Sequence, residues 1–119
     1  MRAVIYHNPH CSKSRATLTL LHAHGVALEI VDYLAQPPSI DTLRMLLRGL
    51  GLPPQAIVRF GEVRATELGV LASDARSAAE WLQLLHENPI LIERPIVIIA
   101  GRAAIGRPPE NVLRLLPVA

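Results

Sequence analysis

Apolar and polar positions alternate along this chain on two different periods, and the switches between them predict its elements. Arg2 to Tyr6 is a short apolar run that predicts a buried strand. A helical pattern follows from about Ser12 to His24, with Ala16, Leu18 and Leu21 able to share a face and Gly25 as its C-terminal stop. Val26 to Tyr33 alternates loosely and predicts a second strand. Gln36-Pro37-Pro38-Ser39 breaks the chain, and Ser39 is a suitable N-cap for a helix over Ile40 to Arg48. Leu43, Leu46, Leu47 and Leu50 form the stripe of that helix, and Gly49, Gly51 and Pro53-Pro54 end it. Short helical pieces are expected at Gln55–Arg59 and Val63–Leu68, then a helix from about Ser77 to His86 that Asn88-Pro89 stops. Pro95-Ile96-Val97-Ile98-Ile99 is β-branched and predicts a central strand opening at its proline. Ala100-Gly101-Arg102 predicts a hairpin turn into Ala103 to Gly106. Pro108-Pro109-Glu110 starts a final helix that Asn111 to Leu116 completes.

The resulting order is βαβ, a helical insertion over about residues 39–88, then ββα. A strand, helix and strand in so few residues imply a parallel pair, whereas the later hairpin must be antiparallel. The expectation is one α/β domain over residues 1–119, thioredoxin-like (glutaredoxin-like), with a four-stranded mixed sheet.

Composition narrows the classes. Half of the 119 residues are apolar and four are aromatic (Tyr6, Tyr33, Phe60, Trp81), so the core must be mainly aliphatic. The single cysteine excludes an internal disulfide and suggests a reducing, cytoplasmic setting. No signal-peptide pattern opens the chain, and the most apolar stretch, Pro89 to Gly101, is interrupted by Glu93-Arg94, so no membrane span is expected. The formal charge is only +2 and the arginines are dispersed, which disfavours nucleic acid as a partner.

The candidate chemistry sits at the first strand-to-helix joint, Tyr6-His7-Asn8-Pro9-His10-Cys11-Ser12-Lys13-Ser14-Arg15. A lone cysteine is commonly an inert buried hydrophobe. Cys11 instead has polar neighbours on both sides and falls where a helix begins. Unpaired backbone N–H groups and the positive end of the helix dipole favour its thiolate there, and Lys13, Arg15 and His7 or His10 could add positive charge. Such a thiolate is a nucleophile in a small anion cradle.

Three arginines stand beside turn signals: Arg59 before Phe60-Gly61-Glu62, Arg94 before Pro95, and Arg107 after Gly106. A guanidinium fork matches a tetrahedral oxyanion. Glu62, Glu93 and Glu110 could orient arginines or remain solvated charges. Arg94-Pro95 is by default an ordinary trans proline opening a strand, with a cis bond as the other candidate. No metal site is expected, since His7, His10 and Cys11 lack a fourth ligand.

These segments resemble the signatures of the glutaredoxin-coupled arsenate reductase family. Ile5 to Arg15 resembles the first, Asn88 to Val97 the second, and Gly106-Arg107-Pro108-Pro109-Glu110 the third. The resemblance spans essentially the whole chain. It implies a thioredoxin-like fold with a helical lobe and a catalytic thiolate at Cys11. It also implies that Arg59, Arg94 and Arg107 bind arsenate, with His7, Ser14, Arg15 and Pro95 in support. The implied reaction makes a thiol-arsenate adduct on Cys11. Glutathione then enters as co-substrate, glutaredoxin reduces the mixed species, and arsenite is released; no bound cofactor is implied. Without a second cysteine, an external thiol must resolve the adduct. Two alternatives are a glutathione-dependent thiol-disulfide oxidoreductase and an Spx-like redox regulator. Ser14 stands where such regulators typically carry the second cysteine of their switch, which argues against the latter.

Overall fold

The computed structural model describes residues 1–117. Its sheet has four strands in the order β2-β1-β3-β4, where β1 is Arg2–His7, β2 Ala27–Asp32, β3 Ile96–Ile99 and β4 Arg102–Ile105. β1 and β2 run parallel, paired from Arg2↔Ala27 to His7↔Asp32. β3 is antiparallel to both β1 and β4, so the sheet is mixed, as expected. All four β3 residues are buried, because this strand has neighbours on both edges and helices on both faces. The β3–β4 turn is Ala100-Gly101, both at positive φ (49° and 79°), the geometry of a two-residue hairpin whose twist matches its strands.

Helix α1 (Ser12–Ala23) joins β1 to β2; α2 (Ile40–Leu50), α3 (Val63–Leu68) and α4 (Ala78–Glu87) separate β2 from β3. The alternation of strand side chains divides the core into two. On one face Tyr6, Ile96, Ile98 and Ala103 pack with Leu43, Leu46 and Leu47 of α2 and Trp81, Leu82 and Leu85 of α4. On the other, Ala3, Ile5, Val97, Ile99 and Ala104 meet Leu21 of α1 and Val112 and Leu115. The last two lie on Pro109–Leu115, which is a 3-10 helix rather than the expected α-helix over Asn111 to Leu116. No helix among the described residues is long and apolar enough to cross a membrane.

Two local expectations are corrected. The buried face of α1 is Ser14, Thr17 and Leu21, while Ala16 is exposed and Leu18 only partly buried. Two polar residues tolerate burial because each has a local partner: Thr17 Oγ1 donates to Lys13 O at 2.8 Å, and Ser14 Oγ accepts from Asn8 N at 3.3 Å. Gly49 does not end α2, which runs to Leu50 and stops at Gly51 in the left-handed conformation. It permits close approach instead: a Cβ there would lie 2.9 Å from Gly101 O and 3.0 Å from Ala103 Cβ.

Candidate active site

The cysteine end is built by a tight turn between β1 and α1. Cys11 N donates to Asn8 O at 3.0 Å and His10 N to Asn8 Oδ1 at 3.0 Å, so Asn8 closes the turn with both backbone and side chain. Arg15 Nη1 donates to Pro9 O at 2.9 Å. Cys11 is the N-cap of α1 and is half-buried. Its pKa is lowered from 9.0 to about 7. Burial pushes the thiol up, but the backbone amides of Ser14 and Lys13, together with the Arg94 guanidinium, outweigh it. About half of a thiol with that pKa is thiolate at neutral pH.

The arginine end is assembled by a bridge far away in sequence. Val58 and Ile92 pair as an isolated antiparallel bridge, with Arg59 N donating to Leu91 O at 2.7 Å and Glu93 N to Ile57 O at 2.8 Å. This brings Arg59 and Glu62 against Glu93 and Arg94. Phe60 pins the same loop by packing edge-on against Trp81, ring centroids 5.9 Å apart. Arg59 Nη1 donates to Glu93 Oε1 at 3.1 Å, and Arg94 Nη1 to Glu62 Oε1 at 3.2 Å. Arg59 Nε lies 3.2 Å from Glu62 Oε1 and Arg107 Nε 3.7 Å from Glu93 Oε1, both as charge contacts. An open groove of about 450 Å3 runs beside this row, lined by Arg59, Phe60, Glu62, Glu93 and Arg107 among others.

Arg107 joins the two ends. Its Nη1 donates to Cys11 Sγ at 3.6 Å and to Arg94 O at 3.3 Å. Gly106 makes that approach possible, since a Cβ there would run into the Thr17 side chain of α1 and lie 2.8 Å from Pro95 Cγ. Gly106 N donates to Pro95 O at 2.9 Å, and Pro95 is buried just before β3. The Arg94-Pro95 and Arg107-Pro108 peptides are both cis.

The residues singled out in the sequence fall into three groups. Cys11, Arg94 and Arg107 converge. Ser14, Arg15 and Pro95 support them through the contacts above. Arg59 donates from Nη1 to Glu93, its Nε lies beside Glu62 as a charge contact without a hydrogen bond, and neither nitrogen makes a hydrogen bond to the sulfur. His7 is a correction to the expected electrostatics. It is buried at the end of β1, and burial lowers its pKa despite the opposing Asp32 charge, which works against the expected positive charge. The cations acting on the sulfur are Arg94 and Arg107 rather than Lys13, which is exposed, and Arg15, which holds the turn.

Glu62 and Glu93 orient arginines rather than lying as solvated charges, which their residue type favours. Their signal was the Arg59-x-x-Glu62 spacing and the Glu93-Arg94 adjacency, which are too common to be decisive. Tyr33 gave no chemical signal at all, yet it is buried, with its hydroxyl unpartnered and the charges of Arg94 and Arg59 within electrostatic reach. Burial raises its pKa, which keeps the hydroxyl a donor.

Comparison with known proteins agrees with this geometry. The family model described as "ArsC family" matches residues 6–115. An arsenate reductase of Neisseria meningitidis serogroup A is 42% identical over 113 residues, covering 94% of this chain and 96% of that protein. An uncharacterized protein of Escherichia coli K12 is 48% identical over 113 residues, covering 94% of both chains. The solved structure of an arsenate reductase from Vibrio cholerae superposes with a TM-score of 0.92 at 45% identity, covering 98% of both chains. A family match across nearly the whole length, on a sheet and helices that superpose this closely, leaves one assignment: the chain belongs to the ArsC family.

Proposed function

We propose that this chain is an arsenate reductase in which Cys11 is the nucleophile and an external thiol completes the reaction. One observation carries the reading. A half-buried cysteine with a pKa of about 7 stands at a helix N-terminus with the Arg107 guanidinium 3.6 Å from its sulfur. A thiolate and an oxyanion repel each other, so they meet productively only where cations hold both. Arg94 and Arg107 do so beside the sulfur, and Arg59 completes the set from across the glutamates. The family and the named relatives support arsenate as the oxyanion.

The chemistry follows from those positions. The Cys11 thiolate attacks the arsenic of the arsenate monoanion; an S–As bond forms, an As–OH bond breaks, and the departing hydroxide leaves as water after taking a proton from solvent. The arginines and the amides at the start of α1 stabilise charge on the remaining oxygens. The chain has one cysteine, so the next sulfur comes from outside, and glutathione is the proposed donor. The glutathione sulfur replaces a second hydroxyl on arsenic, which leaves as water. A glutaredoxin thiolate then attacks that sulfur: an S–S bond forms, the S–As bond breaks with its electron pair left on arsenic, and water displaces Cys11 as arsenite is released.

The test is arsenate-dependent NADPH oxidation with glutathione, glutaredoxin and glutathione reductase. Turnover that disappears in Cys11→Ser, and again when glutathione is omitted, is the expected result. Wild-type protein that alkylates readily at neutral pH yet never consumes NADPH with arsenate would remove arsenate as the substrate.

A further inference from the structure

The row Arg94–Glu62–Arg59–Glu93–Arg107 alternates in charge, and its carboxylates are placed unlike solvated surface charges. Glu62 makes both guanidinium contacts, to Arg94 and Arg59, through one oxygen, Oε1. Glu93 likewise meets Arg59, Arg107 and the Arg94 backbone amide through its Oε1 alone. Both glutamate side chains are only about a quarter exposed (24% and 26%), inside the partly desolvated region where a charge acts most strongly. Three guanidiniums there face two carboxylates and, at pH above about 7, the Cys11 thiolate, so the row and the sulfur together carry no net charge. Other charges near the sulfur end are the exposed Lys13 and Arg15 of α1 and Asp32 beside the buried His7.

An anion site built only to attract would leave its arginines unpaired. This one keeps directional donors instead, among them a buried Arg94 Nε with no hydrogen-bond partner. Fork geometry fits phosphate and sulfate as well as arsenate. Taking Cys11 and its arginines as an oxyanion site, as proposed above, any excess positive charge would fill it with whichever tetrahedral anion is most abundant. The carboxylates oppose that occupancy.

We propose that Glu62 and Glu93 are affinity-limiting counter-charges: they cancel two of the three guanidiniums, so that tetrahedral oxyanions are held weakly and the thiolate site is not left filled by an abundant one such as phosphate. Each glutamate accepts its guanidinium hydrogen bond through one oxygen, so the amide oxygen of Gln can accept that bond while the charge is lost. Charge and positioning are therefore separable.

The experiment measures inorganic phosphate binding by calorimetry, with protection of Cys11 from iodoacetamide as a second readout. Wild type, Glu62→Gln, Glu93→Gln and Glu62→Ala are compared at low and high salt. Each Gln variant is expected to bind phosphate roughly tenfold more tightly than wild type at low salt, the size of effect of one nearby unit charge in a partly exposed site. Phosphate inhibition of arsenate turnover should rise with it. Glu62→Ala, which loses the contact as well, should gain less than Glu62→Gln. The wild type needs no substitution to be informative: a neutral site predicts a shallow salt dependence of phosphate affinity. Gln variants that fold and bind phosphate no more tightly than wild type, or a steep wild-type salt dependence, would overturn the counter-charge role. Phosphate, sulfate and arsenate all failing to bind any form would overturn this inference together with the oxyanion reading beneath it.

Discussion

Residues 8–15 make the cysteine end of the site from eight consecutive positions, whereas the arginine end draws on residues 59–62, 93–94 and 107. The first is held by short-range bonds: Asn8 closing its turn, Ser14 and Arg15 reaching back to it, and helix amides facing the sulfur. The second depends on one isolated β-bridge, an aromatic contact and a shared row of ion pairs. A local turn places the Cys11 sulfur through short-range bonds. A non-local row can position charge only when the helical segments between β2 and β3 are folded onto the sheet. On the proposed function, nucleophilicity and anion recognition are supplied by separately built parts that touch at Arg107.

Cutting the two ends apart gives the largest expected effects. Arg107→Ala and Arg94→Ala should each lower kcat/KM for arsenate by about 10²-fold, the usual consequence of removing a preorganised donor from developing charge. They should differ in the thiol. Arg94→Ala should raise the Cys11 pKa by roughly one pH unit, because it removes a direct stabiliser of the thiolate. A general thiol transferase would instead lose little activity in either variant.

Next comes the joint between the ends. Gly106→Ala would press a methyl group onto Thr17 and Pro95, shifting α1 against the strand that carries Arg94. The expected outcome is a loss of about 1–3 kcal/mol of stability and a roughly tenfold fall in kcat. Gly49→Ala presses on the β3–β4 hairpin, away from the site. It should cost a similar amount of stability, about 1–3 kcal/mol, and leave kcat unchanged. Urea unfolding and initial rates on both variants check the contrast.

The contrast also explains what could be read from the sequence. The succession of elements along the chain and the position of Cys11 were legible because short-range signals carry them: the apolar run of β1, the helix pattern behind it, and Pro-led β3. The buried face of α1 was not. Ser14 and Thr17 are polar by type, and only their local bonds to Asn8 and Lys13 make burial tolerable. Gly49 read as a helix stop because a close approach to Gly101 O lies about fifty residues away. The carboxylate row was hard to read for the same reason, since its members meet only through the Val58–Ile92 bridge, and the burial of the Tyr33 hydroxyl leaves no mark in the residue type.

The smallest expected effect is on stability against pH. The folded protein holds Cys11 at a pKa of about 7 against 9.0 for an unperturbed thiol, so between those values the unfolded state binds more protons. Stability contributed by the thiolate is therefore fully present above about pH 9 and lost as pH falls through about 7. The melting-temperature difference between wild type and Cys11→Ser should widen in favour of wild type as pH rises from 6 to 9. A difference that stays flat across this range would mean that the folded state does not favour the thiolate.

The most direct test of the account is a titration of the Cys11 thiolate by its absorbance at 240 nm, in wild type and in Arg94→Ala. The account predicts a midpoint of about 7 in wild type, moving upward in the variant. A wild-type midpoint near 9 would contradict it, because the turn and the arginine row would then meet around an ordinary thiol with no nucleophile at neutral pH.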